Sequence, residues 1–382
     1  MPLFHIPQGA ALAGRVWVPK LGPCIVKVEG DVVLDISKAF PTMRDLCEAK
    51  NPASALKRAK GKKLGKLADI IANADPRARK KSKPWLLSPI DLQVIKAAGV
   101  TFAVSMLERV IEEKARGDAA AAQGIRAKIN ELVGGDLRKI KPGSSDAAAL
   151  KTELIKAGAW SQYLEVGIGP DAEIFTKAPV LASVGYNMEV GIHPKSSWNN
   201  PEPEVVMVVS SKGSIVGATL GNDVNLRDFE GRSALLLGKA KDNNASASLG
   251  PFIRFFDKGF SLDHIRQAEL AMKVTGEDGF VMQGHSNLAQ ISRDPTEIVA
   301  HAINANHQYP DGLVVYLGTM FAPVADRGEK GKGFTHHVGD VVEISTPLLG
   351  TLRNRVVHTD KAERWSFGLV ELMRNLSKRK LL

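Results

Sequence analysis

Two apolar runs in the middle of the chain constrain its fold more than any other feature. Residues 204–211 read EVVMVVSS, residues 214–223 read SIVGATLGND, and Lys212-Gly213 lies between the two runs. Short runs rich in β-branched residues on either side of a glycine-containing turn predict a β-hairpin. The apolar character of both runs predicts that this hairpin is buried.

Acidic residues mark the open end of the hairpin. Glu202 and Glu204 flank Pro203 where the first strand begins, and residues two apart on a strand point to the same face. Carboxylates this close raise each other's pKa unless a cation joins them. Asp223 ends the second strand, so folding back at the turn brings it near Glu202. Three carboxylates suit Mg²⁺, Mn²⁺ or Ca²⁺ rather than zinc; the alternative is an exposed acidic strand entrance at a sheet edge.

The composition is typical of a globular protein that does not enter a membrane. The chain has 382 residues, of which 44% are hydrophobic. No run of about 18 or more apolar residues is present to span a bilayer. The first twenty residues lack the pattern of a signal peptide. Cys24 and Cys47 are the only cysteines, too few for a disulfide framework, and we therefore expect a cytoplasmic protein.

The net charge of +10 is concentrated in one segment. Residues 57–83 hold eleven Lys or Arg against Asp69 and Asp75. A run of this kind is typical of a solvated face or a connector. No aromatic residue is interleaved there to stack on bases, so we expect no nucleic-acid partner. The alternative is a phosphate-binding patch.

Strand-like and helical runs divide the chain into two predicted domains. Residues 1–84 form a small N-terminal domain that contains β-structure and ends in the basic connector. Residues 85–382 form a larger domain in which strand-like runs dominate from about residue 172 onward. The predicted fold class is α+β and β-rich, with helices outside the sheets. The segments with helical apolar spacing are 91–133, 145–160, 263–274, 295–307 and 371–380.

Several motifs resemble those of the fumarylacetoacetate hydrolase family, and they occur in the family's order over about residues 85–370. They are P-E-P-E-V (201–205), G-x-x-L-G-N-D-V-x-x-R-D (217–228), a lysine nine residues before Gly250-Pro251, L-G-T (317–319), and G-D-V-V-E-I with G-T-L-R-N-R-V (339–344 and 350–356).

The resemblance implies both a fold and a site. It implies a mixed β-barrel or roll with flanking helices for residues 85–382. It implies a divalent cation, Mg²⁺ first, with Mn²⁺ or Ca²⁺ as alternatives, held by Glu202, Glu204 and Asp223. It places Lys241 and Thr319 against the substrate, and it implies a homodimer or a higher homo-oligomer.

The chain departs from the family's hydrolases at the position of a histidine. Those hydrolases carry G-x-N-Y-x-x-H-x-x-E, whose His–Glu pair activates water, and the corresponding residues 99–108 read GVTFAVSMLE. Ser105 replaces the histidine and Glu108 remains. A serine hydroxyl is no base near neutral pH, so hydrolysis by this pair is not expected. Glu230 also stands where many members have a glutamine, and a helical insertion follows Glu108 through about residue 160.

Two segments resemble the sugar-acid branch of the family, which contains 2-keto-3-deoxy-pentonate dehydratases. They are VTFAVSMLERVIEE (100–113) and AKDNNASASLGPF (240–252). The resemblance implies metal-dependent loss of water from 2-keto-3-deoxy-D-xylonate or D-arabinonate, giving 2,5-dioxopentanoate (α-ketoglutarate semialdehyde). In such a reaction the cation chelates the 1-carboxylate and 2-oxo group, a base removes the C3 proton to form an enolate, and the 4-hydroxyl leaves.

Roles for individual side chains follow from this resemblance. Glu108 is the predicted base, with Ser105 holding a water. Lys241 is predicted to stabilise the enolate, or to carry a proton if burial lowers its pKa. Thr319 and Glu230 are predicted to contact the substrate. The structural alternatives are an exposed helix position for Glu108, a surface loop for Lys241 and a strand-end turn for Thr319.

Two other functions remain open on the sequence. One is a hydrolase or decarboxylase of 2,4-diketo or oxaloacetate-like acids on the same scaffold. The other is a non-enzymatic binding protein that uses the basic segment.

Overall fold

A computed structural model describes residues 9–116, 118, 120–122, 140–156, 158, 160–321, 323, 325–327 and 333–382. Over these residues the chain has the predicted α+β, β-rich fold. The strands are β1 (Leu12–Val18), β2 (Gly22–Glu29), β3 (Val32–Asp35), β4 (Lys62–Lys66), β5 (Trp85–Leu86), β6 (Val94–Gly99), β7 (Glu173–Ala178), β8 (Glu189–Ile192), β9 (Asn199–Asn200), β10 (Pro203–Val209), β11 (Ile215–Asp223), β12 (Asn225–Leu226), β13 (Ala247–Phe255), β14 (Glu269–Thr275), β15 (Val281–Asn287), β16 (Leu313–Tyr316), β17 (Val341–Thr346) and β18 (Gly350–His358).

Most strands belong to one large sheet. Its order is β4-β3-β2-β1-β13-β11-β10-β16-β6-β7, and β5 also pairs with β1. Because β1 pairs with β13, the N-terminal strands continue the sheet of the C-terminal part. The two parts therefore share one sheet, and the division into two domains at residue 84 stays a prediction.

A second sheet and a short ribbon complete the β-structure. The second sheet has the order β15-β14-β17-β18-β8, and β12 pairs with β9. Among the described strands, neither sheet closes on itself, so the predicted β-rich core is built from open sheets rather than a closed barrel.

Strand β10 shows where the core lies. It is buried along its whole length, as the apolar run predicts. Val205 and Met207 belong to one hydrophobic cluster, whereas Val206 and Val208 belong to another. Successive side chains of a strand point to opposite faces, so β10 stands between two cores. The hairpin that ends in acidic residues is thus held firmly from both sides.

Helices lie outside the sheets. None in the described part of the chain has both the length and the apolar character that a membrane span needs. The helices are α1 (Met43–Cys47), α2 (Pro52–Arg58), α3 (Leu67–Ala72), α4 (Ala103–Lys114), α5 (Ser145–Lys156), α6 (Gln162–Ile168), α7 (Arg227–Glu230), α8 (Leu237–Lys241), α9 (Leu262–Arg266), α10 (Pro295–Ala302) and α11 (Leu369–Lys378).

Two of the segments predicted to be helical contain strand residues. In the segment 91–133, residues 94–99 form β6 between β16 and β7, and the helix starts only at Ala103. A short run buried on both faces has no helical or strand periodicity to distinguish it. In the segment 263–274, the helix ends at Arg266, and β14 follows with a strict alternation of exposed and buried residues. The predicted insertion after Glu108 includes residues 123–139, which lie outside the described residues.

The basic segment is folded, which differs from the predicted connector. Residues 62–66 form the edge strand β4, and Ile70 of α3 is buried against the N-terminal sheet. The side chain of Asn73 donates to the carbonyls of residues 80, 83 and 84. The lysines of β4 are exposed, as expected for a solvated face. Lysines on an edge strand also disfavour pairing with the edge of another sheet, which explains part of the charge.

Candidate metal centre and acidic cleft

The β10–β11 hairpin brings the three predicted acids together. Pro203 pairs with Asn222, and the Asp223 amide donates to the Glu202 carbonyl at 3.1 Å. One carboxylate oxygen from each of Glu202, Glu204 and Asp223 lies within 4.8 Å of the others, and all three residues are buried. The register of the hairpin thus produces the predicted convergence, whereas cation binding there stays a prediction.

The burial of Glu204 among like charges favours a bound cation. Its carboxylate accepts a hydrogen bond from the Gly318 amide at 2.6 Å. Burial, with the negative charges of Asp223 and Glu202, raises the pKa of Glu204 well above its usual range. Buried like charges are costly unless a cation is shared among them. A divalent cation with oxygen ligands therefore fits the chemistry of these residues.

Three cationic side chains of the described residues reach the cluster. Lys241 Nζ lies 2.6 Å from Glu202 Oε2 and 3.2 Å from Asp223 Oδ2. Lys177 Nζ lies 2.8 Å from Asp223 Oδ1. Arg109 pairs with Glu202 through its Nη2 atom. Although burial opposes ionisation, Lys177 and Lys241 hold the pKa of Asp223 below its usual range.

Lys241 lies beside the three carboxylates, and its contact with a substrate stays a prediction. It is the last residue of α8, it is buried, and it lines a narrow cleft beside the carboxylates. Burial alone would lower its pKa, but the charges of Asp223, Glu202 and Glu230 more than offset burial and raise it. Lys241 is therefore an ammonium rather than a neutral amine in this setting, which suits charge stabilisation better than proton abstraction.

The cleft carries two further acids, the buried Glu230 and the half-buried Glu173. Glu230 ends α7, and its carboxylate lies 3.1 Å from Arg109 Nη1. Glu173 begins β7, and burial with the negative charge of Glu230 raises its pKa to about 7. Burial also raises the pKa of Glu230. Glu173 thus has a pKa in the range where general acids and bases work best at neutral pH, and the pKa of Glu230 is shifted in the same direction.

Thr319 also lines the cleft, at the loop that follows β16. Its hydroxyl oxygen accepts a hydrogen bond from the Phe321 amide at 3.1 Å. The hydroxyl hydrogen remains to be donated, so Thr319 is positioned to bind an anionic oxygen in the cleft.

Ser105 and Glu108 lie on one face of α4 but have different surroundings. Ser105 lines the cleft, and its hydroxyl donates to the Phe102 carbonyl at 2.9 Å. Glu108 borders an adjoining compartment and pairs with Arg227, whose Nη2 lies 3.3 Å from Glu108 Oε2. Arg227 also pairs with Glu112 at 2.6 Å. A structural role for Arg227 agrees with these contacts, and the catalytic role of Glu108 stays a prediction.

Several residues of the site escape sequence reasoning. Glu173 and Lys177 have no motif of their own, Arg109 was given no role within the segment 100–113, and only the fold brings β7 and α4 to the hairpin end. A weak signal exists for Lys177, since a lysine within a strand-like run needs partners if the strand is buried.

Part of the chain matches a known protein family. Residues 171–357 match the family described as fumarylacetoacetate (FAA) hydrolase, C-terminal. The matched stretch contains all three carboxylates of the cluster, together with Lys177 and Lys241.

Curated relatives match over part of their length. The chain is 32% identical over 183 residues to a 2-dehydro-3-deoxy-D-arabinonate dehydratase of Saccharolobus solfataricus, a match that covers 47% of this chain and 57% of the relative. It is 29% identical over 194 residues to a probable 2-keto-3-deoxyxylonate dehydratase of Haloferax volcanii, covering 51% of this chain and 63% of the relative. The chain thus spans less than two thirds of each.

Solved structures share the fold across almost the whole chain. One is a 2-keto-3-deoxy-D-arabinonate dehydratase complexed with magnesium and 2,5-dioxopentanoate, with a TM-score of 0.60 at 20% identity and coverage of 91% of this chain and 99% of that chain. Another is a 5-carboxymethyl-2-hydroxymuconate delta-isomerase from Mycobacterium smegmatis, with a TM-score of 0.54 at 19% identity and coverage of 91% and 98%. At such identities the likeness establishes the fold and not the activity.

Proposed function

We propose that this chain, whose residues 171–357 match the fumarylacetoacetate hydrolase family, dehydrates a 2-keto-3-deoxy-pentonate in a reaction that depends on a divalent cation. The substrates are 2-keto-3-deoxy-D-xylonate or D-arabinonate, and the product is 2,5-dioxopentanoate. The similarity to the two curated dehydratases supports this choice. A reducing cytoplasmic compartment and a homodimer stay predictions.

One observation carries the choice of dehydration over hydrolysis. Among the described residues that line the cleft, acids and cations are present but no histidine. Hydrolysis requires a base that deprotonates a water nucleophile, whereas dehydration requires a base for the C3 proton and an acid for the 4-hydroxyl but no water nucleophile. Ser105 stands where the family's hydrolases have their imidazole, and its hydroxyl is already donated to the chain's own backbone.

Glu202, Glu204 and Asp223 would hold the cation. A cation of this kind supplies Lewis acidity, which polarises the 2-oxo group of a chelated 2-oxo acid and acidifies its C3 proton. Thr319 donates its hydroxyl hydrogen to the substrate carboxylate. The Lys241 ammonium lies beside the cluster, where negative charge develops on the 2-oxo oxygen.

Glu173 and Glu230 divide the proton transfers. With a pKa of about 7, Glu173 accepts the C3 proton at neutral pH. Glu230, whose pKa burial raises, gives a proton to the 4-hydroxyl, which leaves as water. The C3–C4 double bond then forms. Moving one proton from C5 to C3 gives the enol of an aldehyde, and transfer of its hydroxyl proton to C4 completes 2,5-dioxopentanoate. One water is lost overall.

The proposal is tested with purified protein and a coupled assay. Mg²⁺-loaded protein should release 2,5-dioxopentanoate from 2-keto-3-deoxy-D-xylonate or D-arabinonate, and an aldehyde dehydrogenase with NADP reports its formation. Chelation should abolish the signal, and added Mg²⁺ or Mn²⁺ should restore it. Full activity after exhaustive chelation would contradict the proposed dependence on a cation.

Ser105→Ala should retain most of the dehydratase activity. Its hydroxyl bonds to the Phe102 carbonyl, so the change removes a local hydrogen bond and no proton-transfer group. We expect a loss below about tenfold in kcat, equivalent to about 1.4 kcal/mol of barrier. Steady-state kinetics beside a thermal-unfolding midpoint measure this. A loss above 100-fold at an unchanged midpoint would assign Ser105 a direct role.

Six exposed lysines of the basic segment should be dispensable. Replacing them together by glutamine should leave kcat within about threefold, roughly 0.65 kcal/mol of barrier, because none lines the acidic cleft. Steady-state kinetics on the same substrates measure the effect. A loss of 100-fold or more would instead show that the segment acts on the site. The six are Lys62, Lys63, Lys66, Lys80, Lys81 and Lys83.

A further inference from the structure

Two lysines, besides Arg109 on Glu202, contact the carboxylate cluster, and the two lysines have different surroundings. Lys177 and Lys241 both contact Asp223, one on each carboxylate oxygen. Lys241 also contacts Glu202. Buried carboxylates need nearby positive charge to stay ionised, so both ammonium groups contribute to holding the cluster together.

The Lys177 ammonium is held by two backbone carbonyls and one carboxylate. Its side chain is fully buried, at 0% exposure. The ammonium contacts the Asp223 carboxylate and donates to the carbonyls of Val224, at 3.0 Å, and of Lys241. Two hydrogen bonds and one ion pair therefore hold this ammonium in place. Lys177 is not among the residues that line the cleft.

The backbone of Lys241 is held by Lys177 and Ser246, whereas its ammonium is hydrogen-bonded, among the described residues, only to carboxylates of the cluster. Its carbonyl accepts from Lys177 and from the Ser246 hydroxyl, the latter at 2.7 Å. Its ammonium, in contrast, bridges Glu202 and Asp223, two of the three acids that would face a cation, and it borders the open cleft. A four-carbon stem on a fixed backbone allows the head group to move without moving the chain.

A divalent cation held by Glu202 and Asp223 would lie close to the Lys241 ammonium, and two positive charges repel strongly at short distances in a buried site. We propose that the Lys241 ammonium is the counter-cation of the carboxylate cluster before a divalent cation binds, and that the bound cation displaces it into the cleft while Lys177 stays on Asp223. Cation loading then precedes substrate binding, because it is the step that presents the Lys241 ammonium to the substrate. This inference rests on the proposed cation site and not on the proposed dehydration.

Mn²⁺ affinity, measured by electron paramagnetic resonance on the full chain, tests the competition. Lys241→Met should bind Mn²⁺ more tightly than wild type by about 5- to 150-fold, the usual size of coupling between two ligands. The matched control is Lys239→Met, an exposed lysine on the same helix, which should leave the affinity unchanged. An unchanged or weaker affinity in Lys241→Met would overturn the proposal.

Crystals of the wild-type protein with and without Mn²⁺ give a second measurement that needs no variant. With Mn²⁺ bound, Lys241 Nζ should leave Glu202 Oε2 while Lys177 Nζ stays in contact with Asp223. An unmoved Lys241 would overturn the displacement. A protein that binds no Mn²⁺ would overturn both this inference and the cation site. A protein that behaves as expected but does not dehydrate the sugar acids leaves the inference standing and removes only the proposed reaction.

Discussion

Glu204→Gln should lose at least about 1,000-fold in kcat/KM, equivalent to about 4 kcal/mol, because cation catalysis of this kind supplies several kcal/mol. The amide keeps the size of the side chain, and its oxygen is still able to accept from the Gly318 amide. It removes one of three carboxylates, however, and cation affinity should fall with activity. Steady-state kinetics and Mn²⁺ titration measure the two effects.

Thermal unfolding separates this loss from misfolding. Glu204 is buried among like charges, so the neutral variant should be as stable as cation-free wild type or more stable. The control is Glu371→Gln, the same chemical change on the exposed face of α11, which should alter neither quantity. Wild-type activity in Glu204→Gln would exclude this carboxylate from the catalytic centre.

Glu173→Gln should lose about 10²- to 10⁴-fold in kcat, the usual range for removing a general base. Glu173 lies in the cleft but is not one of the three clustered acids, so Mn²⁺ affinity should be retained.

In wild type, kcat/KM should rise with pH along an acid limb, because Glu173 must be ionised to accept a proton. A bound cation lowers that pKa further, so the midpoint lies at or below about 7.

Glu108→Gln is the matched comparison for this assignment. Glu108 pairs with Arg227 in the adjoining compartment, and its replacement should cost less than that of Glu173. If Glu108→Gln proves the more damaging change and Glu173→Gln keeps the acid limb, the base is Glu108, as the family motif implies.

The carboxylate cluster was open to prediction because it depends on local geometry. A hairpin has a period of two and a fixed register, so the positions of Glu202, Glu204 and Asp223 follow once the turn is placed at Gly213. The buried strand β10 was recognisable for the same reason, since its apolar run leaves no alternative to a core position.

Residues contributed by distant segments were not open to prediction in this way. Glu173 and Lys177 reach the site through β7, which is joined to the hairpin only by the strand order β10-β16-β6-β7. That order includes β6, whose residues were predicted to be helical. No pattern within residues 173–178 indicates which sheet edge they occupy, and the pKa of Glu173 depends on burial that only the assembled fold creates.

The protonation state of Lys241 was harder to predict than its place near the carboxylates. Burial lowers the pKa of a lysine when it acts alone, which was the basis for a proton-carrying Lys241. Three carboxylates around its ammonium reverse that direction. In the basic segment, the solvated lysines were predicted, but the position of three of them on the edge strand β4 was not.

The relative rate on two substrate classes tests the central claim most directly. Mg²⁺-loaded protein should be given 2-keto-3-deoxy-D-xylonate, 2-keto-3-deoxy-D-arabinonate and an acylpyruvate in separate reactions, with products identified by nuclear magnetic resonance. Dehydration predicts 2,5-dioxopentanoate from at least one sugar acid, with a larger kcat/KM than that for any cleavage of the acylpyruvate. Faster acylpyruvate cleavage, with no 2,5-dioxopentanoate from either sugar acid, would contradict it and show that this cleft activates water without an imidazole at position 105.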